Sequence, residues 1–321
     1  MGEGDCGKMR KHTFKTLASL LLLFSTFVYS GPVGGYAGSF LRIGASARSM
    51  AMGSSFTGMI DKTFPGYFNP AAVSRLSNKQ LGFMYHSMPL DRQLSVTSFS
   101  TSLPPTAGIG VAWVNAGVKD IQGRNSAGEK TNVMSVSENA FYFTFAQSIK
   151  DWISVGINVK VFYQQLPVNK DQLSGKGTGF DVGVMLTPEN FIPLSIVIQD
   201  INAGYQWNTA DLFDGGNTYK DAFPVQARVG TYRNIGDLLL TADMGILTDN
   251  EYAREISIRS GLEYKLRDNY YLRAGFGNGR VGFGGGMNYA LLKQNDTWID
   301  YTAILELAAG LAHVFTFSIE L

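Results

Sequence analysis

Cysteine is nearly missing from this chain: Cys6 is the only one. It precedes an apolar run, so it is no lipoprotein anchor, which would follow such a run. Everything after it excludes disulfides, thiol catalysis and cysteine-ligated metals. Histidine is scarce too. Beyond the leader only His86 and His313 remain, far apart and without partners at ligand spacing, so no metal site is expected. Charged residues make up 17% of the chain, against about 25% in soluble domains. The formal net charge of +1 leaves no basic footprint for nucleic acid. No stretch after the leader is long and apolar enough for a membrane helix. If the chain crosses a membrane it must do so as a closed barrel, because lipid cannot satisfy an open sheet edge.

What the chain does have is glycine and aromatic residues: 37 Gly and 12% Phe, Trp and Tyr, against 10 Pro. That composition suits many short strands. The N-terminus reads as a secretory signal. Arg10, Lys11 and Lys15 form a positive region, residues 16–28 an apolar stretch, and Val28-Tyr29-Ser30 a cleavage site. The expected division is a signal peptide over 1–30, an N-terminal region over 31–78 and a β region over 79–321. The middle region is rich in Gly, Ala, Ser and Met and shows no sustained alternation.

From Lys79 onward the hydrophobic period is two. Ile153, Val155, Ile157, Val159 and Val161 share one face, and Ser154, Asn158, Lys160 and Gln164 the other. About fourteen strands are predicted, at 80–87, 94–101, 108–117, 139–148, 153–164, 178–187, 194–201, 225–233, 238–247, 255–266, 270–277, 281–290, 297–305 and 312–320. Each is about long enough to cross a bilayer at a tilt. Short links alternate with long polar ones at 119–136, 166–177, 202–223 and 248–253, as in outer-membrane barrels. On these registers Lys160, Asp181, Arg228, Asp243, Arg259, Glu263 and Arg273 all point to one side. A soluble β-sandwich shares the alternation. Export, strands running to the final residues, and charge of both signs on one face favour an all-β transmembrane antiparallel barrel with a polar lumen. On this register Val159→Arg should impair assembly and Lys160→Gln should be mild. Trp113, Trp152, Tyr163, Tyr270 and Trp298 suit interfacial girdles, or ordinary strand propensity.

Phe40 to Phe56, with its Gly44-Ala45-Ser46-Ala47-Arg48 run and Met52-Gly53 pair, is followed by Tyr67-Phe68-Asn69-Pro70-Ala71-Ala72. This pattern resembles the N-terminal signature of the PorV/PorQ family, which belongs with the FadL-like outer-membrane barrels. The resemblance implies fourteen strands and an N-terminal hatch inside the lumen, here carried by Gly44, Ala47, Arg48, Met52, Gly53, Asn69, Pro70 and Ala71. It also implies kinship with type IX secretion proteins, which handle cargo, and with FadL, which passes long-chain fatty acids. The residues suit a hatch independently. The small ones let backbone approach a wall closely, and Arg48 in a lumen would need a carboxylate such as Glu263 or Asp243. The competing reading is an N-terminal arm lying on the surface.

Gly277, Gly279 and Gly282 match GxGxxG, but a strand follows rather than the helix a dinucleotide site needs. No catalytic constellation stands out, so neither enzymatic activity nor a cofactor is expected. The expected location is the outer membrane. The expected partners are its lipids, the barrel-assembly machinery, and secreted proteins or secretion-translocon components. The leading functional expectation is a secretion accessory of the PorV/PorQ type, favoured by a mainly polar lumen. The alternative is a FadL-like channel for hydrophobic small molecules, which oily residues lining an inner pocket would favour. A soluble exported β-protein is the third.

Overall fold

A computed structural model of the chain describes residues 35–168, 171–210, 212, 214–249, 253–292, 295–306 and 310–321. The expected signal peptide and the first residues of the N-terminal region, 31–34, lie outside the described residues. Sixteen strands are described: β1 (Gln80–Met88), β2 (Arg92–Leu103), β3 (Ala107–Arg124), β4 (Lys130–Lys150), β5 (Ile153–Val168), β6 (Asp171–Leu186), β7 (Leu194–Ile201), β8 (Gly204–Asn208), β9 (Thr218–Ala222), β10 (Val225–Ile235), β11 (Leu238–Thr248), β12 (Ala253–Arg267), β13 (Tyr270–Gly277), β14 (Arg280–Leu292), β15 (Asn295–Glu306) and β16 (Gly310–Glu320). Neighbours from β1 to β7 pair antiparallel in order, β7 pairs with β10, and the series runs on to β16. β16 then closes on β1, with Gln80 opposite Glu320. The closed ring has fourteen strands, as the alternation predicts. β8 and β9 form a hairpin outside the ring, joined to β6 at Gly175 and Lys176.

Burial alternates along the ring strands with the predicted phase. In β5, Ile157, Val159 and Val161 are exposed while Asn158, Lys160 and Phe162 are buried. The outward positions form an apolar belt: Phe83, Tyr85, Val111, Phe143, Ile196, Met244, Leu272, Tyr301 and Phe315 all stand exposed. A closed ring leaves no sheet edge along that belt.

Three sequence expectations change. First, β3 and β4 run well past 117 and start well before 139, so most of the expected 119–136 loop is a paired hairpin, with Ile121 opposite Met134. The 166–177 link is likewise ladder, with Gln165 opposite Ser174. Beyond the apolar belt both strand faces are polar, so the period-two signal fades while backbone pairing continues. Second, the 202–223 connection contains β8 and β9. Third, Trp298 is not a girdle residue. It is 7% exposed and faces inward, with Lys62 Nζ 4.0 Å from its ring centroid.

Before β1 the chain folds into short helical pieces: Ser39–Arg42, Ala47–Ala51, Pro65–Phe68 and Pro70–Arg75. Residues of this segment meet the buried strand faces at several points round the ring. Ala47 N–H donates to Thr316 Oγ1 at 2.8 Å, and Thr302 Oγ1 donates to Ala47 O at 2.6 Å. Gln199 Nε2 donates to Tyr67 O at 2.8 Å and Asn158 Nδ2 to Gly66 O at 2.9 Å. Ser98 Oγ donates to Thr63 O. The main core cluster lies between this segment and the ring, and includes Phe40, Phe56, Phe64, Tyr67 and Phe68.

Candidate functional site

The short helix Ala47–Ala51 begins at Ser46, whose Oγ accepts from Ser49 N at 3.1 Å, satisfying a donor the first turn leaves free. Ser46 Oγ donates in turn to Asp61 Oδ2 at 2.5 Å, and Asp61 Oδ1 accepts from the backbone of Thr63 and Phe64 at 2.8 and 2.9 Å. This links the second helical piece to the third. Gly53 follows the helix with φ +64, and a β-carbon there would strike the Phe276 backbone. Only glycine combines that conformation with that approach. Met52 is fully buried beside it. Gly44 N–H donates to Tyr67 Oη at 3.1 Å, and Tyr67 Oη donates to Leu41 O at 2.6 Å. Burial raises the Tyr67 pKa, so the phenol keeps the proton it donates.

Asn69 is extended, as the residue before a proline prefers. Its Oδ1 accepts from Ala71 N at 3.0 Å, capping the turn Pro70–Arg75. Its Nδ2 donates to Thr57 O at 3.3 Å and to Val184 O on β6 at 3.2 Å. One buried amide thus stitches the segment to itself and to the ring.

Arg48 donates to Glu263 from Nε at 2.8 Å and from Nη2 at 2.7 Å, the bidentate geometry that suits Arg to carboxylate. Burial works against its charge, but the Glu263 carboxylate outweighs that and raises the Arg48 pKa above its ordinary value. Glu263 also accepts from Arg273 Nε at 2.5 Å, and Arg273 Nη1 reaches Asp300 at 2.5 Å. Across the ring Lys160 sits 2.5 Å from Asp181 and also binds Asp200. Asp181 further accepts from Asn158 Nδ2 at 2.9 Å. Arg228 donates to Asp243 at 2.7 Å, and the same carboxylate accepts from Thr57 N and Oγ1 at 3.0 and 2.7 Å. Arg259 Nε donates to Asn278 Oδ1 at 2.8 Å. All seven charged residues singled out from the sequence are buried, between 0% and 7% exposed. Lys160 and Asp181 belong to one cluster and Glu263 and Arg273 to another, Arg228 pairs with Asp243, and Arg259 lies opposite Asp243 on the neighbouring strand without bonding it.

Three partners escaped the sequence reading. Arg42 lies in a segment without periodicity. Asp300 lay in phase between outward Ile299 and Tyr301 and was legible by the same rule as the others. Asp200 was not legible. Alternation from Ile196 and Ile198 puts it on the outward face, but its φ of +63 and a register shift against β6 turn it inward.

The inner wall, expected from the sequence to be mainly polar, also carries a broad apolar sector. Met84, Leu94, Val96, Ala112, Val114, Ala140, Tyr142, Ala312 and Val314 are buried on β1 to β4 and β16 and join the aromatic residues of the N-terminal segment in one cluster. Phe64 meets Tyr142 edge-on at 5.1 Å. Near β8 and β9 a cavity of about 500 Å³ is lined by Tyr36, Glu138, Leu166, Leu173, Trp207 and Tyr219 among others. Among the described residues no group of three His, Cys, Asp or Glu could hold a metal. Gly277, Gly279 and Gly282 belong to the β13–β14 hairpin, with Asn278 and Gly279 at φ +52 and +69 in its two-residue turn.

No family model matches the chain, and no curated protein does. Solved structures do. The toluene transporter TodX of Pseudomonas putida superposes with a TM-score of 0.61 at 12% identity, over 87% of this chain and 99% of that one. The toluene transporter TbuX of Ralstonia pickettii gives 0.59 at 14% identity, over 86% and 98%. A FadL homologue from Pseudomonas aeruginosa gives 0.58 at 12%, over 86% and 98%. At these identities the likeness is one of fold, and the fold of this chain is the closed fourteen-stranded antiparallel barrel of the FadL-like proteins.

Proposed function

We propose that this protein is an outer-membrane channel for hydrophobic small molecules, gated by its N-terminal region acting as a hatch. The observation that carries the reading is the apolar sector of the inner wall, where Leu94, Val96 and Val114 are buried in one cluster with Phe64 and Tyr67, whose rings meet Tyr142. An oily inner surface offers a hydrophobic solute a path that a polar pore does not. The neighbours in fold add support, two of them being toluene transporters. This reverses the order of the two sequence-based readings, since neither the named neighbours nor the inner wall favours a secretion accessory. The outward apolar belt makes membrane lipid the first partner of the ring.

Cells expressing the protein should take up a monoaromatic hydrocarbon or a long-chain fatty acid faster than cells without it, while a deletion strain keeps its secreted proteome. Unchanged uptake with a depleted secreted proteome would instead establish the secretion reading. For the hatch, removal of residues 33–75 should leave the ring able to assemble and raise single-channel conductance in planar bilayers. Conductance equal to that of the full chain would return the surface-arm reading. Val159→Arg should lower assembly by about 2–4 kcal/mol, because Val159 faces lipid. Normal assembly of that variant would remove the membrane placement.

A further inference from the structure

A small cavity of about 10 Å³ lies between the N-terminal segment and strands β7, β10 and β12. It has room for about one water-sized particle. Its lining includes three guanidinium groups, Arg42, Arg228 and Arg259, the amides of Gln199, Gln226 and Asn278, and no carboxylate. The three arginines are 8%, 4% and 3% exposed. Their donors are not all used. Among the described residues, Arg42 Nε and Nη1, Arg228 Nε and Arg259 Nη1 have no hydrogen-bond acceptor. The closest carboxylate oxygen to Arg42, on Asp200, stands 3.9 Å from Nη1. Buried guanidinium donors without acceptors are costly, and a site that holds several of them facing one space is suited to an anion.

The local charge balance gives the same answer. Four buried cations, Arg42, Lys160, Arg228 and Arg259, stand near three buried carboxylates, Asp181, Asp200 and Asp243. Lys160 bridges Asp181 and Asp200, and Arg42 adds the second positive charge for that pair. Arg228 takes Asp243. Arg259 is the remainder. It forms no ion pair among the described residues: Asp243, opposite it on β11, is taken by Arg228, and the half-buried Glu255 four positions back on its own strand does not bond it. The other buried cluster, Arg48 and Arg273 with Glu263 and Asp300, is balanced. Among the fully buried groups one positive charge is thus left over beside the cavity, faced only by the half-buried Glu255.

We propose that this cavity is a binding site for one small monovalent anion, of the halide class, held between Arg42, Arg228 and Arg259. The volume excludes phosphate, sulfate and the carboxylate head of a lipid. Arg42 belongs to the N-terminal segment, whereas Arg228 and Arg259 belong to β10 and β12. A bound anion thus fastens the segment to the wall by charge, whatever the barrel passes.

Two measurements on the full mature protein in detergent test this. Crystals soaked in sodium bromide should show an anomalous peak in the cavity. Bromide found only at the surface, with water between the arginines, would overturn the site. Thermal unfolding, compared in sodium chloride, bromide and gluconate at equal ionic strength, should have a midpoint about 2–4 °C higher in the halides. Equal midpoints in all three salts would overturn it too. Arg259→Met should abolish the halide advantage, and retention of the full advantage in that variant counts against the site. If the variant does not assemble, the two wild-type measurements decide.

Discussion

Two sectors of the inner wall are built by opposite means. Across β1 to β4 and β16 the inward residues are Met84, Leu94, Val96, Val114, Ala140 and Val314. Across β5 to β7, β10 to β13 and β15 they include Lys160, Asp181, Asp200, Arg228, Asp243, Arg259, Glu263, Arg273 and Asp300. The outward face shows no such division and stays apolar all round. The reason is what each surface meets. The outer face meets one medium, so one rule serves every strand. The inner face meets the protein's own N-terminal segment, so each sector matches what packs on it: Phe64 and Tyr67 on one side, Arg48 and Thr57 on the other. Apolar contacts are non-directional and tolerate exchange. Buried ion pairs are directional, and removal of one member leaves the other uncompensated.

This contrast can be broken at chosen residues. The largest effect should come from Lys160→Met, which leaves Asp181 and Asp200 buried without their shared cation. A loss of about 3–5 kcal/mol is expected in urea unfolding from lipid vesicles. That differs from the mild effect alternation suggested for Lys160→Gln, because alternation reveals the face and not the partner. A loss below about 1 kcal/mol would mean the ionic sector is as forgiving as the apolar one. Next comes Leu94→Ala, expected to cost about 2–5 kcal/mol by the same measurement, while Leu94→Met costs under about 1.5 kcal/mol. Equal costs for the two would show that the apolar sector is shape-specific.

Arg48→Ala should cost less, about 1–3 kcal/mol, since Glu263 keeps Arg273 as a partner. The same variant should raise single-channel conductance slightly if the segment gates the barrel. The smallest effect should be at His86. It is 0% exposed on the apolar side, and neither ring nitrogen has a partner among the described residues. His86→Leu should leave stability unchanged or raise it by about 1 kcal/mol. A clear loss would reveal an acceptor or donor for that ring.

Much of the ring was legible because an apolar outer face and a packed or polar inner face impose a strict period of two. That period places Val159 out and Lys160 in, and Arg259, Glu263 and Arg273 on the same side, with no three-dimensional information. It fails where its cause fails. Beyond the apolar belt, β3 and β4 continue as strands with two wet faces, and the pattern goes silent from 119 to 136. At Asp200 a left-handed residue shifts the phase, so a buried carboxylate looks outward in sequence.

Composition and alternation therefore give about fourteen strands, the face of most of their side chains, and the small-residue character of the segment before β1. They are local properties, written in neighbours one and two positions apart. Pairing is not local. Arg48 meets Glu263 across 215 positions and Lys160 meets Asp200 across 40, and no period in the chain encodes either. Which cation takes which carboxylate, and that Arg259 takes none among the described residues, depends on strand stagger and on the path of the N-terminal segment. Those are set only when the ring has closed and the segment has packed against it.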